Sequence, residues 1–370
     1  MNFKLNTHAA LRNARTTSVK KSALVGFDGF VDTIVTPVAQ RTAQGDAFTP
    51  ISTITEFAHR IEGAAGKSTN LEFYPLMDKL GGNGPIMANA LLAANTRVTY
   101  IGALGKPSLH AVFHDFSSRA DVISLCDPAT TIAVEFNDGK LMLGQLRSLD
   151  TITMETIDSV MGADRFRTTL AASDLIALVN WTMIPNMTAI FRSLVQDVLP
   201  ALPQRDNRIF FFDLADPEKR SSEDLLDVLE IISSFGNFGK VTLGLNLKEG
   251  QRIHQEIGFS PRPENEAGLR AMVEEIREKT QIDTIVIHPR ESAACANENG
   301  TFWVPGPYTD KPLITTGAGD HFNAGFSQGQ MLGIDPEACL TLGVCTSGHY
   351  VRTGESPTLD DLENFLLSWE

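Results

Sequence analysis

Asp320 directly follows a glycine-rich turn in the segment that runs from Thr316 through Gly317, Ala318 and Gly319. A β-branched segment leads into this turn and a helix-compatible run begins at Asp320, so the backbone N–H groups are predicted to point into one concave spot. Free N–H groups at a helix start attract phosphate oxygens, and small residues let a phosphate approach the backbone closely. A carboxylate there would repel a phosphate unless its task is to accept a proton from an attacking hydroxyl. The segment therefore indicates phosphoryl transfer.

The same turn has a purely structural interpretation. Glycine-rich turns often start helices in α/β proteins, and Asp is a favoured N-cap residue. Taken alone, the turn does not separate the two interpretations. The other polar residues of the chain have to do so.

Two acids lie where the first predicted strand breaks. The apolar run that begins at Ser22 is interrupted at Gly26 and Gly29, and Asp28 and Asp32 stand at that break. In open α/β sheets the ligand crevice lies outside the carboxyl ends of the strands, where acids accept hydrogen bonds from ligand hydroxyls. Turn capping is the alternative for both acids. Ligand contact is favoured for Asp32, whereas both interpretations stay open for Asp28.

A second glycine-rich segment precedes another predicted helix. Gly81 and Gly82 let the backbone approach a ligand, and Asn83 offers both a hydrogen-bond donor and an acceptor. Small residues recur along the helix that follows, which favours close packing on a sheet. This segment is a second candidate for ligand contact.

The elements that must position these residues alternate between strand and helix. From Leu175 onward, short apolar strands alternate with amphipathic helices, which predicts a mostly parallel sheet covered by helices on both faces. Two regions do not fit that alternation. The connection from Thr36 to Lys79 is long, and within it Leu71 to Tyr74 alternates like a strand. Asn137-Asp138-Gly139 marks a hairpin that must pack on something else, either on Leu71 to Tyr74 or on another strand of the earlier connection.

Composition limits the partners. The 370 residues carry a formal net charge of −14 and a sequence pI near 5.0, without a basic run suited to nucleic acid or an anionic membrane. No apolar run is long enough to span a membrane, and the N-terminal segment lacks the apolar centre of a signal peptide. The four cysteines form no CxxC pair. We therefore expect a cytoplasmic protein with a small-molecule ligand.

Together these residues resemble the PfkB/ribokinase family of carbohydrate kinases from about Ala23 to Leu367. The segment from Thr316 to Gly325 is similar to the family's C-terminal signature, and Gly81 to Gly84 resembles its N-terminal signature more loosely. Asn246-Leu-Lys-Glu249 has the form of the family's Asn-x-x-Glu element. The resemblance implies an α/β fold, a ribokinase-like three-layer α/β/α sandwich with a mostly parallel central sheet and a small β lid. It places a core at 20–370, lid segments at 33–79 and 129–148, and a leader at 1–19.

The resemblance also assigns roles in an ATP-dependent kinase that uses Mg²⁺. Asp320 is the base, and the turn from Gly317 through Ala318 and Gly319 is the anion hole. The remaining expected contacts are Asp28 or Asp32, Gly82 and Asn83 for the hydroxylated substrate, Asn246 and Glu249 for Mg²⁺ through water, and Thr316 and His349 on the nucleotide side. The lid is often a dimer contact, so a homodimer is expected.

Three positions depart from the family pattern. Ile314 stands where an Asp helps several members to hold an activating monovalent cation, so we expect little response to K⁺. Ile86 replaces an Asn that usually contacts the sugar. After the strand from Thr284 to Ile287 the family's glycine-containing turn is absent, and Arg290 stands in that stretch, where an exposed arginine is the simpler interpretation.

Two other functions remain open at this stage. A vitamin or nucleoside kinase would have the same fold, and the Gly-Gly-Asn segment with the predicted lid favours a carbohydrate acceptor. A catalytically silent sugar or nucleotide sensor would explain Ile314 and Ile86. The retained Asp320 argues against a sensor, because a pure binder has no use for a base.

Overall fold

A computed structural model describes residues 3–17 and 20–369 of the chain. The α-helices are α1 (Phe3–Thr17), α2 (Ile54–Glu62), α3 (Asn83–Ala93), α4 (His114–Arg119), α5 (Met154–Met161), α6 (Ala163–Ala172), α7 (Met187–Ser193), α8 (Ser222–Ser234), α9 (Leu247–Glu256), α10 (Glu266–Thr280), α11 (Ala318–Leu332), α12 (Pro336–Thr353) and α13 (Leu359–Ser368). The strands are β1 (Ser22–Phe27), β2 (Phe30–Arg41), β3 (Phe48–Pro50), β4 (Glu72–Gly81), β5 (Arg97–Ala103), β6 (Asp121–Cys126), β7 (Ala129–Phe136), β8 (Gly139–Gln145), β9 (Leu175–Val179), β10 (Ile209–Asp213), β11 (Lys240–Leu245), β12 (Thr284–Ile287), β13 (Ser292–Asn297) and β14 (Gly300–Pro305).

Nine strands form the central sheet in the order β14-β13-β12-β11-β10-β9-β1-β5-β6. Neighbouring strands from β12 to β6 run parallel, and β13 and β14 add an antiparallel hairpin at one edge. Every residue of β9 and β10 is buried. Continuous apolar strands of this kind are typical of a parallel sheet that is covered on both faces.

Helices cover the two faces of this sheet, which confirms the predicted three-layer fold. Ile176 and Leu178 of β9 pack in one apolar cluster with α5 to α10, whereas Leu175, Ala177 and Val179 pack in another with α3 and α11. The alternation arises because successive side chains of a strand point to opposite faces. Helix α8 shows the local cause of one helix start, since the Ser221 hydroxyl accepts the N–H of Asp224.

A second sheet of five strands covers one edge of the core. Strand β2 is its centre, pairing antiparallel with β4 and β3 and parallel with β7, while β8 pairs antiparallel with β7. The partner of the predicted hairpin is therefore β2, at Phe30 to Val35. We call this sheet the lid. Most of it comes from the two regions that did not fit the strand–helix alternation, but β2 begins at Phe30, before the connection predicted from Thr36. The hairpin therefore does not pair with Leu71 to Tyr74, the partner expected from the sequence.

The N-terminal segment, expected to be a leader, contains α1. Leu11 is fully buried in a cluster with α12 and α13, and Arg15 forms ion pairs with Asp360 and Glu363. Residues 1, 2, 18 and 19 of that leader lie outside the described residues. Among the helices that are described, none is long and apolar enough to cross a membrane.

Candidate active site

Polar residues meet at one edge of the central sheet because five neighbouring parallel strands end there. These residues end the strands or follow them directly: Asp28 after β1, Asn180 after β9, Asp213 in β10, Asn246 after β11 and His288 after β12. Carboxyl ends of parallel strands share one edge of a sheet, which is where ligands bind in open α/β folds. The N-termini of α3 and α11 face the same edge and add backbone N–H groups to it.

Asp28 is fully buried and holds the start of α3. Its carboxylate accepts the backbone N–H groups of Asn83 and Gly84, each at 2.9 Å, and the side-chain amide of Asn180 at 2.7 Å. Burial raises the pKa of Asp28 to about 6, and these three hydrogen bonds act in the opposite direction. Gly82 precedes the helix with φ of +99°, which brings the backbone against this carboxylate. Asp28 is thus occupied by protein donors.

The start of α11 is a helix N-terminus that directly follows a glycine turn. Gly317 is its N-cap with φ of +88°, a left-handed conformation that favours glycine. The Ala318 N–H bonds back to the Thr315 carbonyl at 3.2 Å. The N–H groups of Gly319 and Asp320 belong to the first turn, where helices have no internal acceptors. They remain as donors toward a ligand.

Asp320 lies in the first turn of α11 and is only 8% exposed. The Asn83 side-chain amide donates to its Oδ1 at 2.9 Å, so the starts of α3 and α11 are joined by one hydrogen bond. Burial raises the pKa of Asp320 well above its usual range, and the nearby carboxylate of Asp213 raises it further. The site therefore holds a carboxyl group with high proton affinity at the predicted position of the base.

A second buried acid, Asp213, lies near Asp320. Burial, followed by the charge of Glu249, raises the pKa of Asp213 to about 8. The Asn323 side-chain amide donates to its Oδ2 at 2.7 Å, and the Ala215 N–H donates to its Oδ1 at 2.8 Å. The structure thus concentrates carboxylates that repel one another.

Asn246 and Glu249 form a reciprocal capping box at the start of α9. The Asn246 side chain accepts the Glu249 N–H at 3.0 Å, and the Glu249 carboxylate accepts the N–H groups of Asn246 at 2.8 Å and Asp216 at 3.0 Å. Burial raises the pKa of Glu249. Both side chains still border the cavity. No cluster of three metal-ligating His, Cys, Asp or Glu side chains occurs among the residues described.

These groups border a cavity of about 620 Å³, within the range of small-molecule pockets. One end holds Asn83, Asp213, Asn246, Glu249, Gly319 and Asp320, and the other is bounded by Pro307, Tyr308, Val344, Ser347, Gly348 and Val351. Arg290 borders the cavity and is exposed. Burial lowers the pKa of His288, which also borders it, to about 4, so this imidazole is neutral. The cavity is polar and acidic at one end and largely apolar at the other.

Asp32 lies on β2 of the lid, half-buried, near the glycine pair that precedes α3. A Cβ on Gly81 would approach its Oδ2 to 2.4 Å, so glycine at that position makes room for this carboxylate. Burial raises the pKa of Asp32, while Thr131, Lys140 and Lys79 favour its ionised form. Unlike Asp28, it accepts no backbone N–H of α3 and faces the space between lid and core.

Some predicted residues lie apart from the cavity. His349 packs edge-on against Phe365 with ring centroids 5.9 Å apart and does not border the cavity. Thr316 faces the lid, where its hydroxyl accepts a hydrogen bond from the Lys140 ammonium. His321, beside Asp320 in sequence, points away and bonds to the Gly317 carbonyl and the Ser356 hydroxyl.

Several residues of the site were not singled out from the sequence. They are Asp213, Asn180, Asn323, Lys79 and Lys140. Asp213 could have been found from the sequence, because it is an acid at the end of a predicted buried strand, much as Asp28 directly follows one. Asn323 also carried one, since it lies three positions after Asp320 on the same helix face. The contacts of Asn180 and the two lysines depend on the tertiary fold.

Solved structures of sugar and nucleoside kinases share this fold. Ribokinase from Thermotoga maritima superposes with a TM-score of 0.61 at 17% identity, covering 95% of this chain and 100% of that one. Ribokinase from Cryptococcus neoformans in complex with ADP gives 0.63 at 18%, covering 94% and 99%. Adenosine kinase from Sinorhizobium meliloti gives 0.63 at 16%, covering 94% and 98%. At these identities the likeness establishes the fold.

The fold and the sequence motifs together define a carbohydrate kinase of the PfkB/ribokinase family, an enzyme that phosphorylates a small hydroxylated substrate with ATP. A family model described as "Khk: Prokaryotic ketohexokinase" matches residues 5–369. The chain is 28% identical over 344 residues to a ketohexokinase of Haloferax volcanii, covering 92% of this chain and 90% of that protein. The chain belongs to the prokaryotic ketohexokinase family.

Proposed function

We propose that this protein transfers the terminal phosphoryl group of ATP to a hydroxyl of a ketohexose, with Asp320 as the general base. The observation that carries the proposal is the buried Asp320 carboxyl at the start of α11, beside a cavity of about 620 Å³ and in contact with Asn83 of α3. The ketohexose is inferred from membership of the family and from the relative's name. A positioned base typically contributes about 10²–10⁴-fold to a rate.

The turn before Asp320 supplies the anion hole in this proposal. Negative charge that develops on the transferred group is stabilised by donors fixed in advance. The first-turn N–H groups of Gly319 and Asp320 are such donors, and the left-handed conformation of Gly317, with its positive φ, orients them. The Ala318 N–H supports the turn instead, through its bond to Thr315. No covalent nucleophile is required for this chemistry.

Mg²⁺ fits the acidic end of the cavity. Asp213, Glu249 and Asn246 present oxygen atoms, the donor type that Mg²⁺ prefers. Burial raises the pKa values of both acids, and the charge of Lys248 acts in the opposite direction on Glu249. Mg²⁺ keeps several waters, so a site without an all-protein cage suits it. When bound, the ion would neutralise charge on the phosphates. We propose that Asn246 and Glu249 bind the ion through water molecules, and we add Asp213 as a further oxygen ligand.

The acceptor is proposed to lie between the lid and the two helix starts. Asp32, Gly82 and Asn83 border that space, and each offers a group that recognises hydroxyls. Asp28 is assigned to hold the start of α3, because three protein donors already occupy its carboxylate. ATP is proposed to occupy the 620 Å³ cavity with its base toward Pro307 and Val351.

A coupled ADP-release assay tests this function. The purified protein would be screened with ATP and Mg²⁺ against D-fructose, other ketohexoses, aldohexoses, sugar phosphates and nucleosides. We expect the highest kcat/KM with a ketohexose, and NMR of the product would identify the phosphorylated hydroxyl. A preference for nucleosides would replace the ketohexose assignment. Ligand-induced melting shifts without turnover on any acceptor would contradict the kinase assignment and indicate a sensor.

A further inference from the structure

The inner face of the lid carries a row of charged and polar side chains. Lys79 of β4 pairs with Asp32 of β2, which pairs with Thr131 of β7, and paired residues project on the same face. Glu135 follows Thr131 at a spacing of four residues, and Lys140 of β8 pairs with it, so both lie on that face. Two ammonium groups therefore reach from the lid toward the core.

Each lysine touches the core beside the catalytic turn. The Lys140 ammonium donates to the hydroxyl of Thr316, the residue immediately before Gly317. The Lys79 ammonium lies 6.0 Å from the centre of the Tyr350 ring. The Tyr350 hydroxyl donates to the Thr316 carbonyl at 3.0 Å, so Lys140 contacts Thr316 directly and Lys79 lies near the ring of the tyrosine that is bonded to it.

Neither ammonium group has a carboxylate within 4 Å in the described residues. Lys79 is half-buried, and burial followed by repulsion from Lys140 lowers its pKa, while the charges of Asp32, Glu355 and Glu135 act in the opposite direction. Glu135 stands opposite Lys140 without forming an ion pair with it. Two like charges held close together without a bonded counter-ion favour the arrival of an anion between them.

Acidic side chains outnumber the arginine Arg290 around the cavity, so a phosphorylated product gains from further positive charge there. Asp213, Glu249 and Asp320 crowd one end of the cavity, and the formal charge of the whole chain is −14. A phosphate ester formed beside Asp320 is repelled by these acids. The lid lysines are positioned to offset this repulsion from the acceptor side of the turn.

We propose that Lys79 and Lys140 form a two-ammonium subsite that binds the phosphate group of the sugar phosphate product while the lid covers the site. This inference rests on the proposed function, because it takes Asp320 as the point where the ester forms.

The test compares product with unphosphorylated acceptor in the same variants. Isothermal titration with ADP and Mg²⁺ present would measure binding of D-fructose, D-fructose 1-phosphate and D-fructose 6-phosphate to wild type, Lys79→Gln, Lys140→Gln and the double variant. We expect the double variant to lose about tenfold or more in affinity for the ester that wild type binds, and less than about threefold for D-fructose. Lys140→Arg keeps the charge and is expected to restore most of the affinity for the ester.

Lys67→Gln is the matched control, because Lys67 is an exposed lysine in the connection between α2 and β4. Equal losses for ester and D-fructose in the double variant would overturn the inference, since the lysines would then contact the sugar itself. Unchanged ester affinity would overturn it as well. Melting temperatures of the single variants separate these outcomes from misfolding.

A failure of the proposed function gives a different pattern. If wild type turns over no ketohexose and binds neither ester, inorganic phosphate becomes the probe of the subsite. Melting temperatures would be measured with and without phosphate at constant ionic strength in a sulfate-free chloride buffer. If phosphate stabilises wild type and Lys67→Gln more than the double variant, the result supports the subsite independently of the kinase function. Equal stabilisation of all three proteins would overturn it.

Discussion

Asn83 and Asp320 are 237 positions apart, yet the Asn83 amide donates to the Asp320 carboxylate at 2.9 Å. The backbone N–H of the same asparagine donates to Asp28. One residue therefore connects the first strand, the start of α3 and the proposed base at the start of α11. Fixed geometry of this kind is what phosphoryl transfer requires, because its catalysis depends mainly on positioning and charge stabilisation.

Asp320→Asn is expected to reduce kcat by at least about a hundredfold, because an amide accepts no proton from the acceptor hydroxyl. The side chain keeps its size and one oxygen for Asn83, so KM for ATP is expected to change by less than about threefold. Steady-state kinetics with the best acceptor of the screen would measure both constants. Turnover within a few-fold of wild type would refute the assignment of Asp320 as the base.

The pH dependence of the rate reports the electrostatic coupling between Asp213 and Asp320. A base acts only when it is deprotonated, and burial and the charge of Asp213 raise the pKa of Asp320. The rate is therefore expected to rise with pH, and the midpoint of this rise is expected to lie above the usual pKa of a carboxyl group. Asp213→Asn removes one negative charge, lowers the pKa of Asp320 and shifts the acid limb of the profile to lower pH.

Profiles of kcat/KM at saturating Mg²⁺ would show this shift even if Asp213→Asn also lowers the maximal rate, since the midpoint is independent of the amplitude. Glu298→Gln, at an exposed acid paired with Lys240, is the control and is expected to leave the midpoint in place. A midpoint that is unchanged or higher in Asp213→Asn would contradict the coupling.

The sequence predicted the parts of this protein that depend on local patterns. The strand Thr284–Ile287 has the predicted bounds, because a short run of four apolar and β-branched residues, all of them buried, specifies a strand inside the sheet. The turn at Gly317 was predicted because its chemistry lies in adjacent residues. The fold followed from the alternation of strands and helices together with the family resemblance.

Long-range contacts were beyond the reach of the sequence. The bond from Lys140 to Thr316 joins residues 176 positions apart, and no local pattern marks either as a partner. Strand β4 extends to Gly81, whereas the alternating pattern indicated only Leu71 to Tyr74. Exposed residues such as Leu76 and Met77 interrupt the alternation, and pairing with β2 maintains the strand there.

K⁺ is expected to change the rate by less than about twofold relative to Na⁺ at equal ionic strength. The aliphatic side chain of Ile314 offers no oxygen ligand where the family resemblance implies an aspartate, and hard cations require oxygen ligands. The nearby Thr316 carbonyl already accepts the Tyr350 hydroxyl. Initial rates in KCl and NaCl, with choline chloride as the ionic-strength control, would measure the effect. Stimulation of tenfold or more by K⁺ alone would contradict this expectation.

A homodimer through the lid is proposed from exposed apolar residues on two of its strands. Leu76 and Met77 of β4 are 51% and 58% exposed, and Met142 and Leu143 of β8 are each 46% exposed. Apolar side chains on exposed strands favour pairing with another chain. Sedimentation velocity is expected to show a dimer for wild type and a shift toward monomer for Met77→Lys with Met142→Lys, which the strand register places on one face of the lid. Exposed Leu226 of α8, changed to Lys, is the control. A monomeric wild type at micromolar concentration would contradict the proposal.

Asp28 and Asp32 are expected to differ when each is changed to Asn. In Asp28→Asn the new NH₂ group must face one of the donors from Asn83, Gly84 or Asn180, and a buried donor left unpaired reduces stability by about 1–3 kcal/mol. Asp32→Asn changes a half-buried side chain without such donors, so its stability is expected to stay within about 0.5 kcal/mol of wild type.

For KM of the acceptor we expect the opposite, with the larger effect in Asp32→Asn and the smaller in Asp28→Asn. If Asp32 binds acceptor hydroxyls, Asp32→Asn removes a charged hydrogen bond worth about 1.5–3 kcal/mol and raises KM for the acceptor by roughly tenfold or more, with KM for ATP unchanged. Urea unfolding and steady-state kinetics on the two variants would separate the roles. The assignment would be reversed if only Asp28→Asn raised KM for the acceptor and only Asp32→Asn lost stability. Asp32 would then hold the start of α3, and Asp28 would bind the acceptor.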